Sequence, residues 1–133
     1  MLKLMLVEDE NVLWEIPLNA RQWDRRSLSR ELEEMEGEMA RFESLFNALA
    51  NRGRMRMMRS FFRTTDRSMG FTELMNELGM NPKIVSDSTK RLRRSGFIEK
   101  DDEGRYRTTR NGEAQFLMMS VAMRRMLEIL EQL

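Results

Sequence analysis

Lys83, Asp87, Lys90 and Arg94 recur at spacings of four, three and four residues. That period puts them on one face of a helix. Long cationic side chains so aligned can donate to guanine O6 and N7, which marks Lys83 and Lys90 as base-edge candidates. Ser86 suits a donor or an acceptor on a base, and Asp87 either accepts from cytosine N4 or pairs with Lys83 and Arg91. Arg91, Arg94, Arg105 and Arg107 carry guanidinium forks that match phosphate oxygens. The expected contacts with double-stranded DNA are therefore Lys83, Ser86, Asp87, Lys90, Arg91, Arg94, Arg105 and Arg107.

Other chemistry is poorly served. The chain has no histidine and no cysteine. It lacks the commonest general base, and no imidazole or thiolate metal site is possible. The acidic pairs Glu33-Glu34 and Asp101-Asp102 fall on an exposed helix face and on a turn, where carboxylates solubilise. Gly104 and Gly112 stand singly rather than in a phosphate-binding loop. No catalytic residue, metal ligand or cofactor is expected, and the chain does not read as an enzyme.

The elements that must position the cationic row follow from the punctuation around it. Thr72 is a candidate cap for a short helix with Leu74, Met75 and Leu78 on its apolar face, and Gly79 ends that helix. Asn81 and Pro82 open the next, because proline at a first-turn position gives up an N–H that has no partner anyway. Val85 and Leu92 lie on its inner side, and Gly96 stops it. Phe97 to Lys100 and Arg105 to Thr108 are short strands around the polar turn Asp101 to Gly104. Helix, tight turn, polar-faced helix and basic ribbon together suit major-groove docking with a wing on the phosphates.

Leu78-Gly79-Met80, Val85-Ser86 and Arg93 to Ile98 resemble the recognition segment of ArsR-type winged-helix repressors. Leu45 to Met58, with Ala48-Leu49-Ala50-Asn51 and Arg54, is similar to that family's opening, and Thr108-Thr109-Arg110-Asn111-Gly112 resembles its step from the wing into the last helix. The likeness covers about residues 42 to 116. Thr89 stands where the family usually has leucine, and Asp87 and Ser88 replace a frequent His-His or Arg-His pair. The resemblance implies a winged helix-turn-helix regulator that dimerises through its terminal helices.

Charge is divided along the chain. Residues 1–51 carry 6 Lys/Arg against 11 Asp/Glu, residues 52–110 carry 15 against 8, and residues 111–133 carry 2 against 3. The segments are thus −5, +7 and −1 within a chain of net charge +1. Positive charge gathers in the segment that carries the helix-turn-helix pattern, which favours an anionic partner there. No stretch approaches the roughly 20 apolar residues of a membrane span. Met1 to Val7 is too short for a signal sequence and runs into acidic residues, so a cytoplasmic protein is expected. Fourteen methionines read as adaptable core filler.

The flanks carry apolar seams. Leu28, Leu32, Met35, Met39, Phe42, Phe46 and Leu49 step by four and three, as do Phe116, Met119, Met123, Met126, Leu130 and Leu133. Phe42, Phe46 and Leu49 belong to the first core helix. For Leu28, Leu32, Met35, Met39, Met119, Met123, Met126 and Leu130, contact between subunits of a homodimer is expected, because a bare apolar seam invites aggregation. Gly37 weakens the first of these helices and marks a bend. Leu2 to Val7 and Val12 to Ile16 alternate as a β-hairpin ended by Pro17, with Trp14 and Trp23 as anchors.

The expected organisation is a β-hairpin at 1–18, a dimerisation helix at 24–41, the winged helix-turn-helix domain at 42–110 and a second dimerisation helix at 111–133. The fold class is mainly α with small β elements. The expected function is a sequence-specific, homodimeric transcription regulator that does not respond to metal through thiol or imidazole. A winged-helix interaction or architectural module of the transcription machinery is the alternative.

Overall fold

The computed structural model describes residues 1–133. The chain forms two compact units, Met1–Phe42 and Glu43–Leu133. The fold class is α+β, mainly helical with small antiparallel sheets.

In the first unit, β1 (Lys3–Glu8) pairs antiparallel with β2 (Asn11–Pro17) around Asp9-Glu10, with a register shift between Leu6 and Val7. Asp9 adopts φ 55, a conformation that aspartate tolerates better than most residues. Trp23 Nε1 donates to the Pro17 carbonyl at 2.9 Å, so this tryptophan fastens the exit of the hairpin. Trp14 is 44% exposed. Asp24 caps α1 (Arg25–Gly37), its carboxylate accepting from the Ser27 N–H at 3.1 Å. No residue of α1 is buried. Leu32, Met35 and Met39 are exposed and Leu28 is half-buried. The helix ends at Gly37, and α2 (Met39–Leu49) begins after Glu38. The seam from Leu28 to Leu49 therefore runs over two helices.

The second unit is built on α3 (Arg52–Arg63), α4 (Phe71–Leu78) and α5 (Pro82–Arg94). Met57, Met58, Phe61, Leu74, Val85, Leu92 and Phe97 are fully buried together with Ala48 of α2. Between α3 and α4 lies β3 (Ser68–Met69), which joins β4 (Ile98–Lys100) and β5 (Tyr106–Thr108) in the order β3-β5-β4. The expected two-stranded ribbon is thus three-stranded. The expected cap of α4 is also corrected. Gly70, not Thr72, is its N-cap, and Glu73 accepts from the Gly70 N–H at 3.4 Å.

α6 (Arg110–Leu117) packs back on this core. Phe116 is buried and stacks on Phe62, with ring centroids 5.4 Å apart. Gly112 is required at this joint, because a Cβ there would collide with the Phe97 carbonyl. A π-helical turn, Met118–Ala122, separates α6 from α7 (Met123–Glu131). The Ser120 hydroxyl donates to the Phe116 carbonyl at 2.6 Å, a back-bond of the kind that bends helices. A π turn inserts one residue and rotates the following side chains by about 100°. This splits the single seam expected from Met119 to Leu130. Met119 packs against the chain's own core, Met126 is half-buried, and Met123 and Leu130 are exposed with Leu117, Met118, Val121 and Leu127.

Candidate nucleic-acid interface

α5 is seated by its neighbours before it can present anything. Gly79, in the left-handed region at φ 62, closes α4. Asn81 caps α5, accepting from the Ile84 N–H at 2.9 Å, and Pro82 occupies the first turn. Val85, Ser88, Thr89 and Leu92 turn inward and are buried. Thr89, 1% exposed, satisfies its hydroxyl on the Ser86 carbonyl at 3.0 Å. A polar side chain is thus accommodated in the core at no unsatisfied cost.

The opposite face of the same helix exposes Lys83, Asp87, Lys90 and Arg94. None of the four takes part in a salt bridge. The pairing of Asp87 with Lys83 or Arg91 weighed from the sequence does not form. Ser86 is half-buried at the edge of this face, and Arg91 is exposed on its flank. Burial lowers the pKa of Arg54, and the nearby charge of Arg91 adds to the effect. Arg54 itself donates to the carbonyls of Ala48 at 2.6 Å and Asn47 at 2.8 Å, capping the end of α2.

A groove of about 440 Å³ between α5 and the wing is lined by Lys90, Arg93, Arg94, Ile98, Glu99 and Lys100. The sequence pattern does not single out Arg93 or Lys100. Arg93 falls one step off the four-residue row, and Lys100 ends a strand too short to show alternation. Lys100 Nζ sits 5.5 Å from the centroid of the Tyr106 ring, which holds its stem along the wing.

The wing turn is drawn together by Asp101, whose carboxylate accepts from the N–H groups of Glu103 at 3.0 Å and Arg105 at 2.9 Å. Arg107 is exposed on β5 and opposes Glu99 in the ladder. Arg105 behaves differently. Its guanidinium donates to the Ser68 hydroxyl at 3.1 Å, the Ser68 carbonyl at 3.3 Å and Glu73 Oε1 at 2.7 Å. The hydrogen bond from Arg105 is the main reason the Glu73 pKa is lowered, followed by the one from the Gly70 N–H. Arg105, expected on phosphate, lies at the end of the wing turn just before β5 and ties it to β3 and the start of α4.

The structure brings Lys83, Asp87, Lys90 and Arg94 onto one face, sets Ser86 and Arg91 beside them, and leaves Arg107 free on the wing. No group of three or more acidic side chains is placed to hold a metal ion. No helix is long and apolar enough to cross a membrane.

Residues 51–100, from the cap of α3 to the end of β4, match the family model described as "Bacterial regulatory protein, arsR family". No curated protein sequence matches the chain.

Proposed function

We propose that this chain, an ArsR-like DNA-binding transcriptional regulator whose matched domain spans residues 51–100, acts as a homodimer that reads a particular duplex sequence. One observation carries the reading. α5 buries Val85 and Leu92 while its opposite side offers Lys83, Asp87, Lys90 and Arg94 free of internal ion pairs. A helix so seated can enter a major groove with polar groups available to base edges, while Arg91 and Arg107 reach backbone phosphates. With no histidine and no cysteine in the chain, its binding does not depend on thiolate or imidazole metal sites.

The homodimer rests on exposed apolar surface. Leu117, Met118, Val121, Leu127 and Leu130 are each at least 45% exposed, and exposed apolar surface of this kind marks interaction sites. Leu32, Met35 and Met39 present a second such stripe. Two recognition helices related by a dyad would meet half-sites about 34–36 Å apart. The alternative, a winged-helix interaction or architectural module, draws support from the exposed apolar hairpin residues Leu6, Val12, Leu13 and Trp14.

Selection of bound duplexes from a random pool tests the reading. A regulator enriches one motif with two related half-sites, and an architectural module enriches none. Light scattering tests the assembly. The wild type is expected as a dimer and Leu127→Glu/Leu130→Glu as a monomer, so a dimer for both would remove the last helices from the interface.

A further inference from the structure

A second cationic row lies outside the recognition helix. Arg52, Arg56 and Arg59 are exposed on α3 at positions i, i+4 and i+7, a stretch of about 10 Å along one face. With Asn51, Leu49 and Met55 they line a cleft of about 520 Å³, and no carboxylate is among its walls. None of the three arginines takes part in a salt bridge, whereas Arg67 and Arg105 of the same unit both do.

This arrangement works against the helix that carries it. α3 has no acidic residue in its sequence RGRMRMMRSFFR and none in its first turn. Like charges four apart repel, and arginines at Arg52 and Arg54 oppose the positive end of the helix dipole. An anion laid along the row would relieve both costs.

The row also starts beside the helix-turn-helix. A Cβ on Gly53 would lie 3.2 Å from Met80 Cε, and Met80 belongs to the turn between α4 and α5. The first turn of α3 is therefore packed against the turn of the helix-turn-helix. Guanidinium groups in series match phosphate oxygens in series, and the unit's excess positive charge favours DNA over a less charged partner.

We propose that Arg52, Arg56 and Arg59 form a second phosphate row, which holds the duplex backbone outside the base pairs faced by α5. This rests on the DNA-binding reading above. It makes affinity depend on the length of duplex beside each half-site.

The experiment is a salt titration of the full chain on the selected duplex, once trimmed to its half-sites and once extended on both sides. Wild type, Arg52→Ala/Arg56→Ala/Arg59→Ala and the triple lysine variant are compared. On the extended duplex the alanine variant is expected to lose about 5 units of salt slope, since three phosphate contacts from each of two subunits contribute about 0.9 apiece. On the trimmed duplex its affinity and slope stay at the wild-type values, and lysine restores most of the loss. Removing self-repulsion leaves α3 at least as stable, which a thermal melt of each variant checks. Equal slopes for wild type and alanine variant on the extended duplex overturn the proposal. Unchanged DNA binding with an altered association state assigns the row to an acidic polypeptide instead, such as the glutamate-rich α1 of a second copy. If the wild type binds neither duplex, the DNA-binding reading itself fails; if it binds both with no gain from the flanks, only this inference does.

Discussion

The outer face of α5 and the wing are both basic, yet their cations are in different states. Lys83, Lys90 and Arg94 stand exposed with no internal ion pair, while Arg105 spends its fork on Ser68 and Glu73. Residue type alone does not separate a group that recognises from one that positions. Partners within reach do. The row of α5 has Asp87 and Ser86 on its own helix and Glu99 across the groove, none of them in an ion pair with it. Arg105, at the end of the wing turn, instead meets Glu73, which already reaches back to its own cap. The first arrangement leaves charge available to a ligand, and the second turns charge into a brace that fixes how the wing meets the helix-turn-helix.

The largest expected effect comes from removing the seat of α5. Leu92 is fully buried in the core, so Leu92→Ala should destabilise by about 2–5 kcal/mol through lost burial and the cavity left behind. Urea unfolding followed by circular dichroism checks this. A change near zero would mean that α5 is not held by that core.

The brace should show a smaller and different effect. Arg105→Ala is expected to lower the urea midpoint and to weaken all duplexes alike, and Glu73→Gln should reproduce part of both. Because the folded Glu73 pKa is lowered, its contribution is present above the ordinary carboxylate range and is lost as pH falls through the depressed value. The gap in midpoint between wild type and Arg105→Ala should therefore shrink on acidification. A gap independent of pH would show that Arg105 acts without Glu73.

Arg107 gives the mildest test. It is exposed on the wing and takes part in no salt bridge. Arg107→Ala should leave stability unchanged and reduce the salt slope of the dimer by about 1.8, one phosphate contact from each subunit at about 0.9 apiece. If instead the midpoint falls and the slope holds, Arg107 belongs with Arg105 as a brace.

Much of α5 is legible in the sequence because its signals are local. The left-handed Gly79, the Asn81-Pro82 start and the helical period of Val85, Leu92 and the outer row all lie within sixteen residues. The wing brace is not legible. Arg105 finds Ser68 and Glu73 from 37 and 32 residues away, and β3 has only two residues, too few for any alternation. The cap of α4 misleads because Thr72 has the better capping side chain, while Glu73 supports Gly70 instead. The C-terminal seam is split for a packing reason. The three-and-four steps suit an unbroken helix, but burial of Phe116, the pull of Met119 onto the core and the Ser120 back-bond accompany a π turn in its place. The cationic row of α3 is masked because its arginines alternate with core methionines that the helical pattern already explains.

Lys90 carries the central claim, since it stands mid-row on α5 and on the edge of the groove toward the wing. The direct measurement is a competition titration of wild type and Lys90→Ala on the selected duplex and on a random duplex at one fixed salt concentration. Loss of a base contact should cost about 1–3 kcal/mol per half-site on the selected duplex and much less on the random one, narrowing the specificity ratio. Equal losses on both duplexes, or no loss on either while the wild type binds, would show that the outer face of α5 does not read sequence.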